Sequence, residues 1–140
     1  MSLRELYAQY NERVQFLVIY IREAHPEDGW SLGKLSRFGK LPGKLGGLAG
    51  HVKQGIYDPQ TIEERRKVAG MCETALQYGI RTYVDEMDDE VMTAYAAMPD
   101  RLYLVGLDGR VMYAGGQGPF GFKPAELKEA IDAYLSQEKG

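Results

Sequence analysis

An apolar run near the N-terminus constrains the fold of this 140-residue chain more than any other feature. Residues 14–21 are almost wholly apolar and rich in β-branched and aromatic side chains. Such a run is typical of a strand buried on both faces, as in a parallel sheet. Because parallel strands are joined by crossover connections, usually helices, the run predicts an α/β layered fold.

The rest of the chain alternates helical and strand patterns. Apolar spacing and capping residues predict helices over residues 3–12, 58–79, 89–97 and from Pro124 onward. Strands are predicted over residues 81–85, 102–107 and 111–114, the last two forming a hairpin around Asp108-Gly109. The order predicts a single domain over residues 1–140 with a mixed sheet flanked by helices.

Residues 31–56 form a distinct insert that is rich in glycine, lysine and leucine and has no acidic residue. Its leucines predict a lid with short helical turns that packs onto the domain. The segment 39–45 resembles a phosphate-binding loop only faintly, because the four-residue spacer and the hydroxyl residue after the lysine are missing. An anion-binding lid and a solvated insert both stay open, with the second favoured.

Composition argues against several classes of function. A formal net charge of −3 leaves no basic field to attract nucleic acid or an anionic membrane. No apolar run reaches the roughly 18 residues that a membrane span needs. A single cysteine excludes an internal disulfide, and two histidines without clustered carboxylates predict no metal site. Cytoplasm is the default compartment.

Two residues carry candidate chemistry, and a third is judged inert. His25 follows the apolar strand at its carboxyl end, where an imidazole with a pKa near ~6.5 can act as a general acid or base. Glu23 is close enough in sequence to orient it, although an ordinary loop histidine is the commoner case. Cys72, the only thiol, falls on the apolar face of its helix, so it is predicted not to be a nucleophile. A lone tryptophan such as Trp30 more often anchors a loop onto the core than stacks on a ligand.

Several stretches together resemble one protein family. The sequence FLVIYIREAHPEDGW at residues 16–30 resembles the signature of the iodothyronine deiodinases, and DPQTIEER at residues 58–65 resembles the start of that family's next helix. Residues 99–105 and 109–119 are similar to its C-terminal half. The resemblance covers nearly the whole chain and is weakest across residues 31–56.

The resemblance implies a thioredoxin-like fold and the reductive removal of a halogen. In this chemistry a selenocysteine or cysteine attacks the halogen and an external thiol regenerates it, with no bound cofactor. The resemblance places His25 and Glu23 at catalytic positions and Trp30, Pro99 and Gln117 beside the substrate. It also implies a cis Met98–Pro99 peptide bond.

The sequence departs from the family where the chemistry needs a nucleophile. In the family a central strand and a loop carrying the selenocysteine or cysteine precede the helix that corresponds to residues 3–12. We therefore expect the central strand to be absent and the chain to be inactive by itself. A selenocysteine codon read as a stop would explain a start assigned at Met1. The family's carboxylate-binding arginine corresponds to Gln117, so the expected substrate is a small halogenated aromatic or another small molecule rather than an iodothyronine.

Two alternatives follow from the same residues. A complete protein could be a peroxiredoxin-like thiol reductase, or the fold could be a non-catalytic module that binds a small ligand. Loss of a central strand would also expose two unpaired edges. We therefore expect residues 14–21 to pair directly with a hairpin strand, or strand exchange to form a homodimer.

Overall fold

The computed structural model describes residues 1–23, 57–76 and 79–137. Its helices are α1 (Leu3–Tyr10), α2 (Ile62–Leu76), α3 (Glu90–Ala94) and α4 (Pro124–Gln137). Its strands are β1 (Val18–Tyr20), β2 (Thr82–Val84), β3 (Tyr103–Val105) and β4 (Val111–Ala114). The α/β class is confirmed. The insert at residues 31–56 lies outside the described residues, as do His25 and Trp30.

The strands form two separate pairs. β1 lies parallel to β2, with Val18 opposite Thr82, and β3 lies antiparallel to β4 in the predicted hairpin. Gly109 adopts a φ of +79° at the hairpin turn, a conformation that favours glycine. Over the described ranges no ladder joins β1 to the hairpin, so the predicted direct pairing of residues 14–21 with a hairpin strand is wrong. Strand exchange in a homodimer stays a prediction.

Side-chain packing around α1 joins the two strand pairs. The side chains of Tyr7 on α1 and Phe16 before β1 meet edge to face, with ring centroids 5.4 Å apart. The adjacent face of α1 buries Leu6 and Tyr10 in the hydrophobic core, which also takes side chains from β3 and α4. The i, i+4 spacing of Leu6 and Tyr10 puts both on one helix face. Local chemistry starts the helix, because Ser2 and Glu5 form a reciprocal capping box.

Strand β1 is more exposed than its apolar sequence predicts. Ile19 is 39% exposed, and Tyr83, its partner on β2, is 46% exposed. Paired residues point to the same face of a sheet, so this face of the β1–β2 pair is open to solvent. Helix α2 packs against β2. The expectation of burial on both faces is therefore wrong.

Helix α2 begins later than the sequence suggests. The predicted start at residue 58 is displaced to Ile62, and the Thr61 hydroxyl accepts a hydrogen bond from the Glu64 N–H at 3.2 Å. Asp58, the predicted capping residue, instead accepts hydrogen bonds from Arg22. Asp58 therefore binds Arg22, which is distant in the sequence, instead of capping the helix that follows it.

The remaining predictions concern the second half of the chain. The Met98–Pro99 bond is cis, as the resemblance implies, and Gly118–Pro119 is also cis. Helix α3 covers only Glu90–Ala94, shorter than the predicted 89–97.

In the described ranges, no helix combines the length and apolar character needed to cross a membrane.

Candidate functional site

Tyr20 and Glu23 form a hydrogen-bonded pair at the carboxyl end of β1. The Tyr20 hydroxyl donates to Glu23 Oε2 at 2.5 Å. Burial, followed by the hydrogen bond and negative charge of Glu23, raises the pKa of Tyr20 above its ordinary value. The phenol therefore stays protonated through the neutral range and keeps donating to the carboxylate. Glu23 is thus held against the strand that precedes His25.

Cys72 lies close to this pair on α2. Its side chain is half-buried, and burial raises the pKa of its thiol, with the negative charge of Glu23 as a second cause. A raised pKa keeps the sulfur protonated at neutral pH, whereas nucleophilic attack needs the thiolate. This agrees with the prediction that Cys72 is not a nucleophile.

Four charged side chains form an ion-pair chain in the order Asp58, Arg22, Asp89 and Arg65. Arg22 Nη2 lies 2.7 Å from Asp58 Oδ2, and its Nη1 lies 4.0 Å from Asp89 Oδ2. Arg65 Nη1 lies 2.8 Å from Asp89 Oδ1 and also donates to the Glu86 carbonyl at 2.7 Å. The ion-pair chain connects the end of β1 to α2 and to the start of α3.

Sequence reasoning missed Arg65, which is only 2% exposed. The available signal was its helical phase, because Arg65 falls on the same face of α2 as Ile62, Ala69 and Cys72. A charged residue on an apolar helix face is seldom fully buried unless it has a charged partner. Its position therefore pointed to a buried ion pair.

Asp85 connects β2 to α3. It is buried, and its carboxylate accepts hydrogen bonds from the backbone N–H groups of Glu86, Val91 and Met92. These contacts satisfy donors at the start of α3 and bring a negative charge to the positive end of the helix. The acidic residues within 86–90 therefore stand at a helix start.

Pro99 and Gln117 belong to a second cluster, beside the hairpin. Gln117 Nε2 donates to the carbonyl oxygens of Ala96 at 2.9 Å and Met98 at 3.1 Å. The Gly118 N–H donates to the Asp100 carbonyl at 2.9 Å. The structure thus brings Pro99 and Gln117 together, but the Gln117 amide nitrogen is bound to the backbone. Their predicted contact with substrate stays a prediction.

Arg101 reinforces the same cluster. Its Nε donates to the Gly115 carbonyl at 2.6 Å, and its guanidinium lies over the Tyr103 ring. Tyr103 in turn donates through its hydroxyl to the Tyr95 carbonyl. The Arg101 guanidinium and the Gln117 amide are therefore both bound to backbone carbonyl groups of the loops in this cluster. Across the described segments, no group of three or more His, Cys, Asp or Glu residues is arranged to hold a metal ion.

Comparison with known proteins tests the resemblance directly. The family model for iodothyronine deiodinase matches residues 1–135. The chain belongs to the iodothyronine deiodinase family. The resemblance found in the sequence is therefore confirmed. The catalytic and substrate-binding roles that it implies for Glu23, Pro99 and Gln117 stay predictions.

Thyroxine 5-deiodinases are among the similar proteins. The bullfrog enzyme (Aquarana catesbeiana) is 33% identical over 139 residues, which is 99% of this chain and 45% of the relative. The enzyme from Sparus aurata is 32% identical over 133 residues, covering 95% of this chain and 43% of the relative. The human enzyme is 30% identical over 139 residues, covering 99% and 40%. The chain thus spans less than half the length of these relatives.

Proposed function

We propose that this chain belongs to an oxidoreductase that removes halogen reductively from a small halogenated aromatic substrate. The Tyr20–Glu23 hydrogen bond carries this proposal, because it holds a carboxylate at the carboxyl end of β1, two residues before His25. Ligands in open α/β sheets bind at such strand ends. The match of the deiodinase family model to residues 1–135 supports the choice of reaction.

The proposed reaction assigns proton transfer to His25 and Glu23. A selenolate or thiolate attacks the halogen, and the electron pair of the carbon–halogen bond goes to the aromatic carbon. His25 supplies the proton that this carbon takes up, and the Glu23 carboxylate orients the imidazole. An external thiol then displaces halide from the sulfur or selenium, and a second thiol releases the nucleophile while a disulfide forms.

The nucleophile in this proposal is not Cys72. The raised pKa of Cys72 disfavours its thiolate, and the 140 residues contain no other cysteine. We therefore assign covalent attack to a selenol or thiol outside these 140 residues. His25 and Glu23 would then supply proton transfer to a nucleophile from another segment or chain.

The test supplies the missing nucleophile. The chain is fused behind a deiodinase strand-and-loop segment that carries a cysteine, and iodide release from 2-iodophenol is measured with dithiothreitol. The fusion should release iodide, and residues 1–140 alone should not. Glu23→Gln should lower the rate by at least about tenfold, as expected for a group that supports acid–base catalysis, while Cys72→Ala should leave it unchanged.

Other outcomes of this assay separate the alternatives. Peroxide consumption without iodide release would favour a peroxiredoxin-like thiol reductase. Binding of 2-iodophenol with neither reaction would favour a non-catalytic module, a role that the raised pKa of Cys72 also fits. Loss of iodide release in the Cys72→Ala fusion would overturn our assignment of the nucleophile.

A further inference from the structure

The ion-pair chain includes Arg22, the residue before Glu23 in the sequence, and has one end fixed in the protein interior. We infer that Asp58, Arg22, Asp89 and Arg65 act together as a positioning device for the Glu23 carboxylate, with Arg65 as the fixed end. The placement of Glu23 is argued from contacts alone. Its consequence for proton transfer rests on the proposed function.

Arg65 is well suited to be the fixed end. Its side chain is 2% exposed, and its guanidinium contacts Asp89 and the carbonyl oxygens of Asp85 and Glu86. A buried cation is strongly destabilising unless it is paired, so the position of the Asp89 carboxylate is strongly determined. The backbone of Asp89 has a φ of 58°, and this conformation directs the Asp89 side chain between Arg22 and Arg65.

Arg22 transmits this position to Glu23, its neighbour in the chain. The guanidinium of Arg22 contacts Asp58 on one side and Asp89 on the other. Its side chain is 50% exposed, so solvent screens each of these two contacts. The contacts do restrict the backbone at the residue before Glu23.

The other end of the segment is also held. The Tyr20 carbonyl accepts a hydrogen bond from the Asp85 N–H at 2.8 Å, and the Tyr20 hydroxyl donates to Glu23. Residues 20–23 are thus connected to β2 at one end and to the ion-pair chain at the other. This double attachment places the carboxylate near Cys72, where burial and then the negative charge of Glu23 raise the pKa of the thiol.

Cys72 provides a readout of Glu23 that needs no enzyme activity. Among the described residues, the charged or titratable groups near it include Glu23 and Tyr20 from the end of β1, and Arg65 lies two turns earlier on its own helix. The thiolate alone reacts with iodoacetamide, so the pH dependence of alkylation reports the thiol pKa in the folded chain. Glu23→Gln is the reference variant for the change in alkylation rate, because it removes the charge of Glu23 without removing the side chain.

Asp89→Asn is the main variant, since asparagine tolerates a positive φ and loses only the charge. At a fixed pH below the thiol pKa, alkylation should quicken by roughly two- to tenfold, because the thiol pKa falls as Glu23 moves away. Asp88→Asn is the matched control, with the same charge change at an exposed neighbouring position. It should leave the alkylation rate unchanged.

A double variant separates positioning from a direct effect of charge. If Asp89 acts through Glu23, Asp89→Asn should add nothing in the Glu23→Gln background. An equal acceleration in both backgrounds, or none in either single variant, would overturn the inference. Arg22→Gln gives a second test at a half-exposed position if Asp89→Asn does not fold. These results stand whether or not the fusion releases iodide, so failure of either proposal can be distinguished.

Discussion

At the scale of single residues, the environment of Tyr20 sets its acid–base behaviour. Its hydroxyl is partly buried and donates to a carboxylate, so ionisation would remove the donor and place two negative charges together. Burial, the largest cause, and both of these effects raise the pKa of Tyr20. The hydroxyl therefore acts as a fixed donor to Glu23 at neutral pH rather than as an ionised group.

This environment predicts a stability difference that depends on pH. Tyr20→Phe should lower the free energy of unfolding by about 1 kcal/mol at pH 7, a modest value because the hydrogen bond is only partly buried. The pKa is raised in the folded state, so the contribution is fully present below about pH 10, where the unfolded phenol titrates, and is lost as pH rises further.

Urea unfolding of both proteins between pH 7 and 11 measures this difference. The exposed Tyr57 offers a matched control, and Tyr57→Phe should change the stability little at any pH. A Tyr20→Phe difference that grows above pH 10 would contradict the assigned hydrogen bond.

At the scale of elements, the turn between β4 and α4 depends on close backbone packing. A Cβ atom added to Gly121 would lie 2.3 Å from the Gly116 carbonyl carbon and 2.5 Å from the Gln117 carbonyl oxygen. These contacts are with backbone, so no side chain can rotate away to relieve them. The turn that carries Gln117 therefore requires glycine at residue 121.

Gly121→Ala should consequently destabilise the protein by about 3 kcal/mol, because the turn must open to admit the methyl group. Gly70→Ala is the matched control in α2, where an added Cβ meets no atom within 4 Å. This change should stabilise the helix by about 0.5–1 kcal/mol, since alanine loses less backbone entropy than glycine. Urea unfolding should show opposite signs for the two variants, and equal shifts would argue against the described turn.

At the scale of the whole molecule, the described residues form two packing units that share α1. The larger buries the hydrophobic core between α1, the hairpin and α4, whereas the other packs α2 on the β1–β2 pair. Helix α1 contacts α2 through the hydrogen bond from Arg4 to the Leu76 carbonyl, and its Tyr7 ring meets Phe16, which packs against the core just before β1. Regions connected by few contacts can open separately.

Leu6→Ala should therefore act unevenly across the molecule. Leu6 is fully buried in the core, so its loss should cost about 2–5 kcal/mol, while Leu107→Ala at an 88% exposed hairpin position should change stability by less than about 0.5 kcal/mol. Hydrogen exchange in Leu6→Ala should accelerate more in β3 and α4 than in β1 and β2. Equal acceleration in all four strands and α4 would indicate one cooperative unit.

Sequence alone was sufficient where the determining contacts are local or where a long motif is shared with relatives. Ser2 and Glu5 start α1 three residues apart, and Asp108-Gly109 makes the hairpin turn from two neighbouring residues. The family followed from stretches such as residues 16–30, which carry the Tyr20 and Glu23 pair. Each of these features depends on residues near one another in the chain.

Tertiary structure decided the features that depend on residues far apart in the chain. Asp58 has the side chain of a helix cap, yet Arg22 binds it from 36 positions away. Ile19 lies in an apolar run, yet it is exposed because nothing in the run specifies which sheet face a helix covers. The helical phase of Arg65 puts it on the apolar face of α2, but only its approach to Asp89 permits its burial. Composition sets which side chains are available, and the folded chain sets which charges and surfaces meet.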